Sequence, residues 1–237
     1  MKGTVLITGG NKGIGLELTK LFASNNYKVV VVARDFSKFE LTEEDNVYQV
    51  QYDIANIEGI KALIEEVTAK VGDINILINN AGIMNSIAYD QYPKEDIQKL
   101  MNINLYAPIE FITQVSASMV KNGGGRIVNT ASVAGQIGHP DVWYGVSKAG
   151  IINATKSFAK LLGGKGVVVN TVAPGPVNTE MLKVIPEQRK ADIKATVFTD
   201  RFAEATEVAD TIYWLATQSP EYINGTCIDI NNGAFLR

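Results

Sequence analysis

The sequence predicts an α/β fold: a doubly wound sheet of seven parallel strands with helices on both faces. Two observations predict it. Short runs rich in β-branched residues alternate with amphipathic segments along the chain, which is the pattern of a parallel sheet covered on both faces. The chain has 237 residues and is 46% hydrophobic, enough for one large core. We therefore expect residues 1–237 to form a single domain.

The predicted strands are short runs of five or six residues. They cover 4–8, 28–33, 47–52, 74–79, 126–131, 167–172 and 226–230. Helical periodicity, with apolar residues three and four apart, begins near Gly15, Ile57, Lys94, Tyr144 and Glu207. Residues 174–206 break the alternation, and a connection of that length is typical of a binding loop. We expect this segment to be a substrate loop.

Composition argues against several classes of function. The net charge is −3 and the basic residues are scattered, whereas nucleic-acid binding needs clustered Lys and Arg. One cysteine, Cys227, and one histidine, His139, are too few for a disulfide framework or a zinc site, so no metal is expected. Neither a signal-peptide pattern nor an apolar run of about 18 residues is present. We expect a cytoplasmic protein without a membrane span.

A glycine-rich stretch, Gly9 to Gly15, joins the first predicted strand to the first predicted helix. Such a turn aims free helix N–H groups above the strand and lets a pyrophosphate approach the backbone, as in Rossmann-type dinucleotide-binding domains. The spacing Gly9-x3-Gly13-x-Gly15 departs from G-x-G-x-x-G. From this stretch alone, a plain tight connection is also compatible with the sequence.

Further motifs follow the glycine-rich stretch in order. They are Asn79-Asn80-Ala81-Gly82, Asn104, Ser132, Tyr144-x-x-x-Lys148 and a Pro174-Gly175 turn with Thr179. Together with T-G-x-x-x-G-x-G, they resemble the short-chain dehydrogenase/reductase family over almost the entire chain. Each motif alone is weak, but all of them in this order are a specific signal.

The resemblance implies a Rossmann-type fold and hydride transfer between a nicotinamide cofactor and a ketone or secondary alcohol. In the family, an aspartate at the position of Asp53 contacts the adenine, although a loop-entry or helix-capping role ahead of Ile57 is nearly as compatible with the sequence. The cofactor-binding residues implied are Gly9, Asn11, Lys12, Gly13, Ile14, Gly15, Arg34, Asp53, Ile54, Asn80, Ala81, Gly82, Tyr144, Lys148, Pro174, Gly175, Val177 and Thr179.

The end of the second predicted strand bears on the choice of cofactor. Asp35 lies about 20 residues past the glycines, where a carboxylate would hold the ribose 2′-hydroxyl of NAD. Arg34 favours NADP, because a guanidinium pairs bidentately with a 2′-phosphate. In the family resembled, the NAD-selecting acid stands at the position of Ala33, and a basic residue at the position of Lys12 accompanies NADP. We expect NADP(H) to be preferred, with NAD(H) possible.

Four catalytic residues are implied by the resemblance: Asn104, Ser132, Tyr144 and Lys148. Among the nine tyrosines, Tyr144 alone has a lysine four residues on, which places both on one helix face. We expect the Lys148 cation to lower the pKa of Tyr144 towards neutral pH, so that the phenol can exchange a proton with a substrate oxygen. Ser132 would hold that oxygen. Asn104, rather than the neighbouring Asn102, would anchor a water in a proton relay to the lysine.

The substrate is less well defined by the sequence. The residues expected to border its pocket form a mostly apolar set that suits a neutral carbonyl compound. They are Met84, Gln136, His139, Val142, Trp143, Pro176 and Met181. Trp143 fits a pocket wall as well as an ordinary core or subunit contact.

The overall pattern resembles 3-oxoacyl-(acyl carrier protein) reductases and reductases of sugars, steroids and simple ketones. An acidic carrier protein needs cations near the site. Lys165 suits this purpose, but residues 122–125 carry none. An acyl carrier protein is therefore a weakly supported partner. The resemblance also implies a homotetramer, in which the helices that start near Lys94 and Tyr144 form a four-helix contact.

Two functions from other classes are less compatible with the sequence. A Ser-His-Asp hydrolase built from Ser132, His139 and Asp141 lacks the G-x-S-x-G elbow that such a serine needs. A catalytically silent protein that binds NADP as a sensory or structural ligand would have no need of Tyr144 and Lys148, and both are present. The sequence therefore favours an enzyme.

Overall fold

One sheet forms the centre of the molecule. The computed structural model describes residues 1–180, 182 and 187–236, and within them seven parallel strands pair in the order β3-β2-β1-β4-β5-β6-β7. The strands are β1 (Thr4–Thr8), β2 (Lys28–Ala33), β3 (Val47–Gln51), β4 (Ile76–Asn79), β5 (Gly125–Thr130), β6 (Val167–Pro174) and β7 (Cys227–Ile230). The predicted fold class is confirmed.

Helices cover both faces of this sheet. They are α1 (Gly13–Ser24), α2 (Ile60–Val71), α3 (Lys94–Met101), α4 (Ala107–Lys121), α5 (Val142–Leu162), α6 (Glu187–Lys194) and α7 (Ala205–Thr217). A π-helical turn, Asn102–Tyr106, joins α3 to α4, and 3₁₀ turns lie at Val133–Gly135 and Gly163–Lys165. Among the helices described, none has both the length and the apolar character needed to cross a bilayer.

The core has two layers because successive strand residues face opposite sides of the sheet. Leu6 and Ile127 point to the layer formed with α2, α4 and α5. Ile7 and Val128 point to the layer formed with α1 and α7. Phe22 of α1 is completely buried in the second layer. Replacing it with alanine would cost about 3–5 kcal/mol through lost contacts and the cavity left behind.

The sheet order places a crevice at the carboxyl ends of β1 and β4. β1 pairs with β2 on one side and with β4 on the other. Successive strands are therefore added on one side of β1 up to β3, and on its other side from β4 onwards. The connections that follow the two strands leave towards opposite faces, and ligands bind such sheets in the gap between them. The glycine-rich stretch after Thr8 and the Asn80–Gly82 segment after Asn79 lie at this gap.

The element boundaries differ from the predicted ones by at most three residues, and those of β1 and β2 agree fully. β4 starts at Ile76 rather than at residue 74, and β6 continues to Pro174, because the sheet pairs Pro174 with Ile230 of β7. Helix α6, inside residues 174–206, was not predicted. Six of its eight residues are charged or amide-bearing, so it has no apolar periodicity from which a helix could be inferred.

Candidate active site

The glycine-rich stretch and the segment after β4 hold each other in place. The Thr8 hydroxyl accepts hydrogen bonds from the backbone N–H groups of Asn80 and Ala81, both at 3.1 Å. The Asn80 amide donates in turn to the carbonyls of Thr8 and Gly9, both at 3.3 Å. A Cβ on Gly9 would lie 3.0 Å from the Cα of Ala81, so the close approach of the two segments requires glycine there.

The turn into α1 also depends on glycine. Gly9 and Gly13 have φ angles of 67° and 53°, in the left-handed region that other residues rarely adopt. A Cβ on Gly15 would overlap the carbonyl oxygen of Gly9. Ile14 packs against the core layer beneath the turn. The turn is therefore a tight backbone cradle at the amino end of α1, with Lys12 exposed at the N-cap position.

Charged side chains lie at the rim of this cradle. Arg34 is exposed immediately after β2, and the Asn11 amide donates to the Asp35 carbonyl at 2.7 Å. The Asp35 carboxylate folds back onto its own loop, where it accepts from the backbone N–H and the hydroxyl of Ser37 at 2.8 and 2.9 Å. These two bonds lower the pKa of Asp35, with smaller contributions from Lys38 and Lys12.

The predicted adenine side of the site lies at the end of β3. The exposed Asp53 accepts from the backbone N–H of Ala55 at 3.0 Å, which is the loop-entry arrangement expected of an aspartate there. Ile54 is buried in the core layer formed with α2, α4 and α5.

Tyr144 and Lys148 share one face of α5 and meet Ser132 from the end of β5. The Lys148 Nζ atom lies 5.7 Å from the centre of the Tyr144 ring and donates to the carbonyl of Thr130 at 2.8 Å. The Ser132 hydroxyl lies close enough to the Tyr144 side chain to act on its pKa. Gly135 allows this packing, because a Cβ there would lie 2.5 Å from the Lys148 carbonyl carbon.

The amine of Lys148 faces the crevice. A Cβ on Gly82 would lie 3.3 Å from the Lys148 Nζ atom and 3.4 Å from the Asn104 Oδ1 atom. The lysine, the asparagine and the segment after β4 therefore converge on one point. The tyrosine and the lysine are nearly completely buried, with 8% and 4% of their surfaces exposed.

The expected lowering of the Tyr144 pKa is not what the fold produces. Burial raises the pKa of Tyr144, while the Ser132 hydroxyl acts in the opposite direction and the Asp141 charge adds to the increase. Burial also lowers the pKa of Lys148 to about 8. The sequence pattern indicated a cation beside the phenol, but it could not show how completely both groups are removed from water.

Asn104 belongs to the π-helical turn between α3 and α4. Its amide exchanges two hydrogen bonds with the backbone of Ile83, both at 2.8 Å, and donates to the Ser147 hydroxyl at 3.2 Å. The extra residue in a π turn re-aims the side chains around it. Asn102 instead donates to the Ala55 carbonyl at 3.0 Å. The fold thus brings Asn104, and not Asn102, to Lys148.

The residues expected around the substrate are only partly brought together. Met84 and Trp143 pack in the small cluster that contains Tyr144, and the His139 ring lies 5.4 Å from the Tyr144 ring. Burial lowers the pKa of His139. Val142 is 45% exposed on the outer side of α5.

The other expected pocket residues lie towards β7 and the segment after β6. Gln136 donates to the Asp229 carboxylate at 2.6 Å, and the Pro176 carbonyl accepts from the backbone N–H of Ala203 at 3.0 Å. Met181 lies outside the described residues.

The segment after β6 approaches the glycine cradle. Gly175 continues from Pro174 and packs against Asn231, since a Cβ on it would lie 3.1 Å from the Asn231 Cα. Val177 packs against the core layer of α1 and α7. A Cβ on Gly13 would lie 3.4 Å from the Thr179 Cγ2 atom. A cleft of about 320 Å³ lies here, lined by Gly13, Asn178, Thr179, Glu180, Leu182 and Lys190.

Comparison with known proteins accounts for this arrangement. The family described as short chain dehydrogenase matches residues 3–190 of the chain. The chain belongs to the short-chain dehydrogenase family. It is accordingly an NAD(P)-dependent oxidoreductase that acts on carbonyl and alcohol groups.

Individual relatives cover nearly all of this short-chain dehydrogenase. The 3-oxoacyl-[acyl-carrier-protein] reductase FabG of Thermotoga maritima is 35% identical over 240 residues, covering 98% of this chain and 97% of that protein. The FabG of Staphylococcus aureus is 30% identical over 244 residues, covering 100% and 99%. A structure of ElxO with NADP bound is 31% identical and covers 99% of both chains, with a TM-score of 0.90.

Two contacts of this short-chain dehydrogenase were not anticipated from its sequence. Thr130 supplies the carbonyl that holds Lys148, and Asp141 caps the first turn of α5 by accepting from the Tyr144 N–H at 3.1 Å. The second could have been inferred, because aspartate is a preferred N-cap residue and Asp141 precedes a helical pattern. The first could not, because backbone carbonyls carry no sequence signal. No cluster of three potential metal ligands occurs among the described residues.

Proposed function

We propose that the protein is an NADPH-dependent reductase of ketones, with Tyr144 as the proton donor. The observation that carries the proposal is the convergence of Tyr144, Ser132 and Lys148 beside Gly82, at the crevice where the sheet order reverses. A hydroxyl, a phenol and an amine around one point suit the oxygen of a carbonyl group that becomes an alcohol.

The crevice fits a dinucleotide. The glycine cradle offers free backbone N–H groups at the amino end of α1, without side chains that would block a pyrophosphate. Arg34 and Lys12 are exposed at its rim and suit a 2′-phosphate. Asp35, the residue that would favour NAD, is bonded to Ser37. The bound NADP of ElxO supports the same cofactor here.

Each side chain has a definite task in this proposal. NADPH, when bound, supplies the hydride. Ser132 holds the carbonyl oxygen of the substrate, and the Tyr144 hydroxyl donates its proton to that oxygen. Lys148, held by the Thr130 carbonyl, supplies positive charge beside the resulting phenolate. Asn104 fixes the segment after β4 through Ile83 and lies next to the lysine, where it can anchor a relay water.

The substrate is proposed as a neutral, mostly apolar ketone. Met84 and Trp143 supply apolar surface beside Tyr144, and residues 174–206, with α6, are proposed as the substrate loop. The FabG relatives favour a 3-oxoacyl group, while a carrier protein as the partner stays weakly supported. Arg126, the cation that directly follows residues 122–125, already donates to the Leu215 carbonyl and to the Ser219 hydroxyl, at 3.1 and 2.9 Å.

A catalytically silent NADP sensor is the second candidate. Such a protein would need the cofactor cradle but no activated phenol, and burial raises the pKa of Tyr144 rather than lowering it. Turnover distinguishes the two candidates, since a sensor would bind NADPH without consuming it.

The test is NADPH oxidation with a panel of 3-oxo esters, cyclic ketones and simple ketones, repeated with NADH. We expect turnover, with kcat/KM at least about ten-fold higher for NADPH, because the guanidinium–phosphate pair is bidentate. Arg34→Ala should remove most of that preference and leave the NADH rate unchanged. Lys160→Ala, at an exposed site on α5, is the matched control and should change neither rate. NADPH binding without turnover would favour the sensor.

A further inference from the structure

A buried carboxylate lies directly behind the proposed proton donor. Asp141 is 2% exposed and accepts hydrogen bonds from four groups. These are the backbone N–H groups of Asn85, Ser86 and Tyr144, at 3.3, 2.9 and 3.1 Å, and the Tyr92 hydroxyl, at 3.1 and 3.2 Å from the two carboxylate oxygens. Every group that contacts the carboxylate is a hydrogen-bond donor, and a buried carboxylate is tolerated when it is paired in this way.

The four donors come from two separate parts of the chain. Asn85, Ser86 and Tyr92 lie between β4 and α3, and Ser86 has a φ of 56°, a conformation that needs support from its surroundings. The Tyr144 N–H belongs to the first turn of α5. Asp141 therefore fastens the segment that follows Gly82 and Ile83 to the helix that carries the phenol.

We propose that Asp141 is a positioning residue of the reductase: its carboxylate clamps residues 85–92 to the first turn of α5 and brings a negative charge to the turn that carries the Tyr144 phenol. This inference rests on the proposed function, because it takes Tyr144 to be the acid. A ketone reductase needs the protonated phenol, whereas a nearby cation alone would favour the phenolate.

The electrostatic surroundings of Tyr144 support the second part of the proposal. Burial is the larger cause of its raised pKa, and the Asp141 charge acts in the same direction. Burial and the same carboxylate also raise the pKa of Tyr92. The Ser132 hydroxyl acts on Tyr144 in the opposite direction, and burial lowers the pKa of Lys148, one turn along α5, to about 8.

The remaining groups around Tyr144 do not replace this charge. His139 faces the phenol ring, and burial lowers its pKa, with Arg189 of α6 acting in the same direction and Asp141 against it. The imidazole is therefore uncharged near neutral pH. Ser132 contributes a neutral hydroxyl. Among the described residues facing Tyr144, Asp141 is the anion.

The test compares two variants that separate charge from hydrogen bonding. Asp141→Asn keeps the shape and an oxygen for the Tyr144 N–H but loses the charge, and its amide nitrogen would face the N–H groups of Asn85 and Ser86. Tyr92→Phe removes one donor and leaves the charge in place. The ionisation of Tyr144 is followed by tyrosinate absorbance, as the difference between each protein and its Tyr144→Phe counterpart. We expect Tyr144 to ionise at lower pH in Asp141→Asn and not in Tyr92→Phe.

A second readout uses reduction of ethyl acetoacetate by NADPH. Asp141→Asn should lower kcat about ten-fold through misplacement of the phenol, and the loss of activity with rising pH should begin at lower pH. The KM for NADPH should not change. Asp210→Asn, an exposed carboxylate on α7, is the control and should behave like the unmodified protein.

The outcomes separate this proposal from the proposed function. If Asp141→Asn does not fold, Asp141→Ser, an uncharged residue that can still cap α5, carries the same expectation. An unchanged Tyr144 titration in a folded Asp141 variant would overturn the proposal. If ethyl acetoacetate and the ketone panel give no turnover with the unmodified protein, the reductase assignment fails, while the titration still decides whether Asp141 sets the ionisation of Tyr144.

Discussion

At the scale of single residues, burial governs the two ionisable groups at the centre of the site. It raises the pKa of Tyr144 and lowers that of Lys148 to about 8. Both shifts disfavour the charged forms. The site is therefore arranged for a chemical task at the expense of stability, as functional sites often are.

Lys148→Met should make the protein more stable near neutral pH. The side chains are similar in size, and the variant avoids burying an ammonium group. A pKa of about 8 against an ordinary value of 10.5 corresponds to about 3 kcal/mol. Losing the donor to the Thr130 carbonyl offsets part of this, so we expect a gain of about 1–2 kcal/mol in the free energy of unfolding. Urea unfolding at neutral pH measures it.

The pH dependence of this gain has a definite sign. Between about 8 and 10.5 the unfolded chain binds more protons at Lys148 than the folded protein does, so the stability of the unmodified protein rises with pH in this window. The advantage of Lys148→Met should therefore shrink as the pH rises from about 8 towards 10.5. A variant that is no more stable than the unmodified protein at neutral pH would contradict the assignment of burial as the dominant effect.

The sequence predicted the identities of the central residues better than their environment. The i, i+4 spacing of Tyr144 and Lys148 indicated a shared helix face, and the structure has it. The raised pKa of Tyr144 was not predicted, because burial depends on how β5 and α5 pack and not on local spacing. The buried clamp at Asp141 was missed for the same reason, since its donors lie about 50 residues away in sequence.

At the scale of elements, the glycine cradle depends on the absence of side chains between β1 and α1. Gly15→Ala would place a Cβ against the Gly9 carbonyl oxygen, and that backbone would have to move. We expect a loss of at least about ten-fold in NADPH affinity and of about 1–3 kcal/mol in stability. Fluorescence titration and thermal unfolding measure the two effects.

Gly164→Ala is the matched control for this change. A Cβ on Gly164 meets nothing within 4 Å, and its φ is not positive. Its stability should stay within about 0.5 kcal/mol of the unmodified protein, and its NADPH affinity should be unchanged. Equal effects of the two substitutions would refute the steric account of the cradle.

The start of α7 is stabilised by a capping box. The Glu207 side chain accepts from the backbone N–H of Glu204 at 2.8 Å and pairs with Arg201 at 2.7 and 2.8 Å. Glu207→Ala should cost about 1 kcal/mol in the free energy of unfolding. Glu207→Gln should cost much less, because it keeps the box and loses an exposed ion pair.

The Arg201 guanidinium lowers the pKa of Glu207 to about 2. Stability from this carboxylate is thus present above its ordinary value of 4.5 and lost as the pH falls towards 2. The difference in the free energy of unfolding between the unmodified protein and Glu207→Gln should therefore shrink as the pH falls over that range, which chemical unfolding experiments measure. A difference that stays constant with pH would show that the ion pair contributes nothing.

Elements with strong apolar periodicity were predicted to within three residues, as β1 and α5 show. Two features were not. The eight residues of α6 are largely polar, so the helix depends on its surroundings for stability. The π turn at Asn102–Tyr106 looks like ordinary helix in sequence, because one extra residue per turn leaves no compositional mark.

At the scale of the whole molecule, one sheet brings the crevice residues together from positions 8 to 179, and three apolar side chains, one at the junction of the π-helical turn with α4 and two on α5, remain exposed. Tyr106, Val142 and Val146 are 43%, 45% and 47% exposed. We propose that these helices form the four-helix contact of a homotetramer, the assembly that the resemblance implies.

Light scattering on the size-exclusion peak should therefore give about four times the chain mass of 25.7 kDa. Val146→Glu should reduce the mass to that of a smaller species, because a charge would be buried in the contact. Thr113→Glu, at an exposed site on α4, tests how far the contact extends along that helix. A monomeric peak for the unmodified protein would contradict the tetramer.

The central claim is that Tyr144 delivers the proton that accompanies hydride transfer from NADPH. It is tested most directly by mixing the NADPH complex with a ketone and following a single turnover by NADPH absorbance. We compare the unmodified protein with Tyr144→Phe at the same cofactor saturation. The rate constant should fall by about 10²–10⁴ in the variant, as expected for loss of a general acid, while the NADPH affinity is unchanged. Equal rate constants would contradict the claim.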